Sequence, residues 1–149
     1  DTHVGQGQLY GKHRDLLGNV AMAFQAFYRD MQDQWDDMVV VTMTEFGRTS
    51  KENGSRGTDH AEATAMFVAG GGVKGGVYNC DKNTWKNGDM FSTNNERYLL
   101  RKTDFRSVFG EIFTDHFGNT QKQLNQVIPT YTSGKKENPK DFKKLGLFA

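Results

Sequence analysis

The sequence predicts an α/β protein, because an amphipathic helix precedes a short, strongly apolar strand, and a second apolar strand follows and ends in glycines. Between residues 12 and 32 the apolar side chains recur every three or four positions, as on a helix that packs against a sheet. Residues 38–43 are too apolar to alternate with polar ones, which indicates a strand covered on both faces. A helix followed by a buried strand is half of a βαβ unit.

The middle of the chain is predicted to leave this strand through a loop and to return as a second strand. Residues 44–58 are polar and contain several glycines, so they mark a loop at the carboxyl end of the first strand. Residues 65–69 are predicted to form the second, shorter strand, which three successive glycines terminate. Residues 79–96 are polar and aperiodic, and they indicate a long surface excursion.

The C-terminal part is predicted to contain one more helix and a basic tail. Asp104 is a suitable N-cap for a helix whose apolar residues share one face, and Gly118 is suited to end that helix. Residues 130–149 are rich in lysine and contain glycine and proline, which indicates a tail. Its apolar end, residues 145–148, is predicted to dock on the rest of the protein.

Composition limits the class of protein. The net charge is +1, from 19 basic and 18 acidic residues, so there is no electrostatic reason to expect binding to nucleic acid. Cys80 is the single cysteine, which excludes an internal disulfide, and no apolar run approaches the roughly 20 residues that cross a membrane. The length predicts one domain over residues 1–149. We expect this domain to be the back half of a larger protein, because Asp1 and His3 lack a strand that leads into them.

The candidate site consists of carboxylates and imidazoles that are expected at one rim of the sheet. Glu45 follows the first strand, at the carboxyl end where open α/β sheets bind their ligands. His60 follows a glycine-rich turn, and Asp1 and His3 add a second carboxylate and a second imidazole. These side chains form a ligand set that divalent metals accept. We therefore predict a metal site, with zinc first and manganese, iron or calcium as alternatives.

Several of these residues also have a structural interpretation. Glu45 could pair with Arg48 and order the loop, and Arg48 could either neutralise Glu45 or bind an anionic ester oxygen through two hydrogen bonds. A lone histidine such as His60 is more often a surface residue than a ligand. His13 and His116 border the apolar faces of the two predicted helices, so we interpret both as structural.

The glycine-rich run after the second strand matches a nucleotide-binding fingerprint but lacks its context. Residues 70–75 fit the pattern G-x-G-x-x-G. That fingerprint needs a helix N-terminus to bind the pyrophosphate, and the residues that follow the run have no helical period. The sequence therefore predicts no nucleotide cofactor, and the glycines are expected to form a tight reversal.

Five segments of the chain, in this order, resemble the C-terminal half of domain-of-unknown-function family 1501. They are Asp1-Thr2-His3, VVVTMTEFGRT, ENGSRGTDHAEATAMFVAGGGVKGG, TDFRSVFGEIF and LGLFA. The resemblance implies a bacterial protein that is exported with a twin-arginine signal and is periplasmic or secreted. It also implies the fold of the alkaline phosphatase and sulfatase superfamily, of which this chain would be the C-terminal portion of a sandwich of helices around a mostly parallel sheet.

The resemblance assigns roles to the candidate residues. Asp1 and His3 would stand for an Asp and His ligand pair, Glu45 for the carboxylate at a strand end, and His60 for a late histidine ligand. Phe46 stands where the superfamily has a second ligand. The nucleophile would lie in the missing N-terminal half, so the resemblance implies no catalytic residue in this chain beyond a possible contact of Arg48 with the anion.

The function expected from this assignment is metal-dependent hydrolysis of phosphate or sulfate esters by the intact protein. Its partners would be the N-terminal half of the same protein and a small anionic ester. The alternative is a non-catalytic secreted or structural protein whose metal site has decayed and which is present as a fragment within an assembly. In that alternative Glu45, Arg48 and Asp59 would form a structural cluster of ion pairs.

Overall fold

The helices and strands of the protein were located in a computed structural model. The structure describes residues 2–7, 9–79, 90–92, 95–137, 139 and 142–148. Within them the helices are α1 (Lys12–Asp30), α2 (Phe105–Glu111), α3 (Gln121–Val127) and α4 (Tyr131–Glu137). The strands are β1 (Val40–Val41), β2 (Gly47–Arg48), β3 (His60–Ala61) and β4 (Val68–Ala69). Helix and strand are thus mixed, as an α/β class requires.

The first helix confirms the prediction for residues 12–32. Helix α1 ends at Asp30, and a short 3₁₀ helix, Gln32–Asp37, leads from it into β1. Although α1 is amphipathic, none of its residues is buried, and Val20 on its apolar face is 45% exposed. The apolar face of α1 is therefore not covered by the described part of the chain.

The strands are shorter than predicted, and their pairing differs from the mostly parallel sheet that we expected. Strand β1 pairs antiparallel with β4, with Val40 opposite Ala69, and β2 pairs antiparallel with β3. A parallel pair needs a crossover connection, usually a helix. Residues 42–67 connect β1 to β4 without a helix, so the chain reverses and the strands run in opposite directions.

The second predicted helix is confirmed, although its last turn is a wider π-helical turn. Asp104 caps α2 by accepting a hydrogen bond from the backbone N–H of Arg106 at 3.0 Å. Helix α2 continues into the π-helical residues Ile112–His116, and Gly118 follows with a φ of +67°. Val108 and Ile112 form the buried core together with Leu147.

The predicted tail docks on the core but is more ordered than its composition suggested. Leu147 is 3% exposed, and Phe148 pairs with Val73 across an isolated β-bridge. The interval assigned to the tail contains α4, and α3 precedes it. Much of the predicted surface excursion, residues 79–96, lies outside the described residues. Directly after it, the N–H of Ser50 donates to the carbonyl of Arg97 at 2.9 Å.

None of the described helices is both long and apolar enough to cross a membrane.

Candidate functional site

The structure brings His3 and His60 together, although they lie far apart in the sequence. The centroids of their imidazole rings are 4.6 Å apart, and the ring planes are tilted by 55°. Phe46 stacks on His60 with a centroid separation of 3.7 Å and an angle of 26°. His3 is half-buried and His60 is exposed, so a solute can reach the pair from the solvent.

The pairing of β2 with β3 positions His60. Arg48 lies directly opposite His60 in this pair, and the N–H of Thr49 donates to the carbonyl of Asp59 at 3.0 Å just beyond it. Residues opposite each other across an antiparallel pair have side chains on the same face of the sheet. Gly47 is needed in β2, since a Cβ there would overlap the carbonyl of Ala63.

The N-terminal segment carries His3 to this position by running along the loop before β3. The N–H of Thr58 donates to the carbonyl of Thr2 at 3.0 Å, and the N–H of Gln6 donates to the carbonyl of Arg56 at 2.8 Å. Gly57 is buried at the crossing, where a Cβ would overlap the carbonyl of His3. Only glycine allows the two backbones to approach this closely.

Asn53 and Asp59 connect the two histidine-bearing segments. The Nδ2 of Asn53 donates to the carbonyl of His3 at 3.0 Å and to Oδ1 of Asp59 at 2.8 Å. Arg97 forms an ion pair with the other oxygen of Asp59. The hydrogen bond from Asn53 does most to lower the pKa of Asp59, desolvation opposes it, and Arg97 lowers this pKa further. Asp59 therefore stays ionised within a network of donors.

The remaining predicted residues have different surroundings. Asp1 lies outside the described residues. Glu45 is exposed and lines a large apolar cavity, beside Phe46. Arg48 donates from Nη1 to the carbonyl of Thr58 at 2.8 Å, and its guanidinium lies 5.5 Å from the centre of the Phe46 ring.

The expected ion-pair cluster of Glu45, Arg48 and Asp59 is replaced by other contacts. Among the ion pairs of the described residues none joins Arg48 to Glu45, and the cationic partner of Asp59 is Arg97. The guanidinium of Arg48 is held instead by the backbone carbonyl of Thr58. Arg48 is therefore not used to neutralise either carboxylate.

The separation of the two imidazoles is close to that of two ligands of one metal ion. With zinc–nitrogen bonds of about 2 Å and tetrahedral angles, the centres of two bound imidazoles lie about 5 Å apart, and the centroids of His3 and His60 are 4.6 Å apart. A complete site needs further ligands, and within the described part of the chain no three His, Cys, Asp or Glu side chains converge. The pair is therefore at most a partial donor set among the described residues.

An apolar trough lies next to the site. We use this name for the cavity of about 1300 Å³ that is lined by residues of α1, β4, α2 and the C-terminal segment. Every residue from 62 to 69 borders the trough. The N–H of Thr42 donates to the carbonyl of Phe67 at 2.9 Å, so the backbone groups of Val68 point away from β1. Strand β4 pairs only with β1 among the described strands, which leaves its other edge open to the trough.

Sequence reasoning did not identify Asn53 or Arg97 as residues of the site. Asn53 stands in a segment with several glycines, where asparagine is a common turn residue. Its presence there is explained by the turn alone, so the sequence did not indicate its hydrogen bonds to His3 and Asp59. Arg97 directly follows the predicted surface excursion, far from the histidines in sequence. A Gly-rich turn that precedes an Asp-His pair was the available signal for Asn53, and there was none for Arg97.

Comparison with known proteins gives one match. The family model described as Protein of unknown function (DUF1501) matches residues 1–128. The matched part includes His3, Glu45, Arg48 and His60. No curated protein and no solved structure matches the chain.

Proposed function

The chain belongs to the family Protein of unknown function (DUF1501), and we propose that it carries part of the metal site of a hydrolase that acts on phosphate or sulfate esters. The observation that carries the proposal is the contact between the imidazoles of His3 and His60, with centroids 4.6 Å apart. This separation suits two nitrogen ligands of one ion. We propose zinc first, with manganese, iron or calcium as alternatives.

Different residues of the chain would bind the metal ion and the ester. His3 and His60 would each hold the ion through one ring nitrogen, and Asp1 and Glu45 are the carboxylates that we propose as further ligands. Glu45 does not converge with the two rings in this structure, so it would join them only in the intact protein. When bound, the ion would polarise the ester and stabilise charge on its oxygens. Arg48 lies opposite His60 and has guanidinium donors beyond the one that binds Thr58, so it is suited to contact an anionic ester.

We further propose that this chain completes a larger molecule of the alkaline phosphatase type, in a periplasmic or secreted bacterial protein. Its sheet would be mostly parallel, and the nucleophile would come from the N-terminal half. The apolar trough supports this proposal, because α1 and α2 line it together with the edge of β4 to which no described strand pairs. Strands of the N-terminal half would pair with that edge and cover both helices.

Zinc affinity of single histidine variants tests the metal site. We expect the wild-type chain to bind zinc stoichiometrically in competition with a chromogenic chelator, and His3→Ala and His60→Ala to weaken this affinity about tenfold or more, since each removes a ligand. His13→Ala is the matched control, because His13 is an exposed residue of α1. Equal affinity in the wild type and both site variants would contradict the proposal.

A non-catalytic protein with a decayed metal site is the second candidate, and one observation favours it. The ring of Phe46 stacks on His60 and both oxygens of Asp59 are engaged by Asn53 and Arg97, as in a purely structural cluster. In that case the wild-type chain would bind zinc no better than His60→Ala does. The same substitution would instead lower the melting temperature, because it removes the stacked ring.

A further inference from the structure

We propose that Asn53 is a positioning residue whose side-chain amide fixes His3 beside His60. Asn53 lies in the loop before β3 and is half-buried. Its Nδ2 donates to the carbonyl of His3 at 3.0 Å and to Oδ1 of Asp59, the residue before His60, at 2.8 Å. One amide nitrogen therefore joins the backbone of one histidine to the immediate neighbour of the other.

The two ends of the Asn53 amide have different roles. Its Oδ1 accepts hydrogen bonds from the N–H of Ser55 at 2.9 Å and from the N–H of Gly57 at 3.0 Å, which closes the turn. Its Nδ2 makes the two bonds to His3 and Asp59. An asparagine amide offers two donors and two acceptor sites, so this arrangement uses all four. Substitutions can separate the roles, because the oxygen shapes the turn and the nitrogen makes the connection.

The bond from Asn53 acts at His3 itself, because the segment is attached independently on both sides of that residue. The carbonyl of Thr2 accepts from the N–H of Thr58 at 3.0 Å, and the N–H of Gly5 donates to a further loop carbonyl at 3.0 Å. Both attachments use only backbone atoms, so a change that removes the Asn53 NH₂ but keeps the acceptor of the turn leaves them in place. The expected consequence is a local displacement of the His3 ring.

The position of His60 does not depend on Asn53 to the same degree. His60 is part of β3, where it lies opposite Arg48. Asp59 is also bound by Arg97 and by the hydroxyl of Thr49, to which its own N–H donates at 3.1 Å. Loss of the Asn53 donors should therefore change the distance between the two imidazoles by moving His3.

The test compares Asn53→Asp with the wild-type chain. Aspartate keeps an acceptor for the turn and replaces the donating NH₂ by an oxygen, so it removes both connecting bonds. In the wild type without metal, NMR cross-peaks between the ring protons of His3 and His60 are expected, and in the variant they should be lost. If the metal site exists, the variant should also weaken zinc binding about tenfold or more.

Two further variants keep this test decisive. Asn53→Ser retains a hydroxyl acceptor for the turn without adding a carboxylate next to Asp59. Its single O–H donor on a shorter side chain cannot make both connecting bonds, so the variant should reproduce the loss of cross-peaks even where Asn53→Asp is too unstable to study. Asn19→Asp makes the same charge change on the exposed surface of α1 and should leave the cross-peaks and zinc affinity at wild-type values.

The outcomes separate this inference from the proposed function on which its metal-binding consequence rests. If both Asn53 variants lose the cross-peaks and the wild-type chain binds no zinc, the positioning role would be supported and the proposed metal site would be excluded. Zinc binding that depends on His3 and His60 but is equal in the wild type and both Asn53 variants would overturn the positioning role and retain the site. Unchanged cross-peaks in a folded Asn53→Ser variant would likewise overturn it.

Discussion

Glu111 is the residue that fastens the C-terminal segment to the core. Its side chain is buried, with the residue only 6% exposed. One carboxylate oxygen accepts from the N–H groups of Gly146 and Leu147 at 2.9 Å each, and the other accepts from the N–H of Leu145. Gly146 has a φ of +72°, which turns successive N–H groups toward one acceptor. The carboxylate thus satisfies three backbone donors and closes the segment over α2.

Glu111→Gln should destabilise the protein by about 1 to 3 kcal/mol, because an amide NH₂ would replace an acceptor and face a buried N–H. The measurement is urea unfolding at neutral pH. Glu52→Gln is the matched control, since Glu52 is exposed, and it should stay within about 0.5 kcal/mol of the wild type. A Glu111→Gln variant as stable as this control would show that the carboxylate does not fasten the segment.

At the residue scale, the sequence predicted which types of side chain belong to the candidate site, but not the contacts that these side chains make. His3 and His60 were predicted as members of one site from their types and the turn before His60, and the structure brings them together. The contribution of Asn53 depends on two backbones crossing at Gly57, a long-range arrangement that local sequence does not encode. The same limit applies to Arg97, whose guanidinium reaches Asp59 from a distant segment.

At the element scale, the start of α2 depends on an ionised carboxylate. Asp104 is 3% exposed and accepts from Nη2 of Arg106 at 2.7 Å and from Nε at 2.9 Å. Desolvation acts to raise the pKa of Asp104, but the side-chain and backbone hydrogen bonds from Arg106 and the positive charges of Arg106 and Arg101 together outweigh it, so the pKa is lowered. A lowered pKa in the folded state gives stability above the unfolded pKa that is lost as the pH falls through the folded pKa.

Asp104→Asn should therefore make stability less dependent on acidic pH. Asparagine is also a good N-cap, so the variant keeps the helix start but loses the charged pairing. We expect it to be less stable than the wild type by about 1 to 3 kcal/mol at pH 7. The two should converge as the pH falls below the ordinary aspartate pKa of about 3.9 and through the lowered pKa of folded Asp104. Urea unfolding across this range measures the difference. Asp30→Asn, at the exposed end of α1, controls for the loss of one carboxylate. If the free energies of unfolding of the wild type and Asp104→Asn changed with pH in parallel, the ion pair of Asp104 with Arg106 would be excluded as a source of the pH dependence of stability.

Helices were more predictable than strands because a helix is specified by neighbours along the chain. The period of the apolar residues predicted α1, and the suitability of Asp104 as an N-cap helped to predict α2. The capping box formed by Thr120 and Gln123 was a local signal for α3 that the prediction missed. The antiparallel pairing of β1 with β4 depends instead on how the intervening loop reverses, and apolar content alone does not reveal strand direction.

At the scale of the whole molecule, α1 and the trough are unusual for a folded domain. Val20 and Phe24 line the trough together with residues of β4 and α2. A surface helix normally buries its apolar face on the body of its own domain, yet α1 buries none of its residues. A contiguous apolar surface of this kind is typical of an interface. This uncovered face agrees with the proposal that strands of the N-terminal half fill the trough.

Val20→Asp in α1 tests whether the trough is filled in a longer form of the protein that includes upstream sequence. In the present chain Val20 is 45% exposed, so the substitution should change the free energy of unfolding by no more than about 0.5 kcal/mol. In the longer form the same aspartate would be buried without a partner, which should cost several kcal/mol.

Met22→Asp is the matched control, because Met22 is 62% exposed and does not line the trough. It should have a small effect on unfolding in both forms, so a large difference for Val20→Asp alone would locate the contact on the trough side of α1. Equal and small effects of Val20→Asp in the two forms would mean that upstream sequence does not cover this face, since a buried charge cannot remain without energetic consequence.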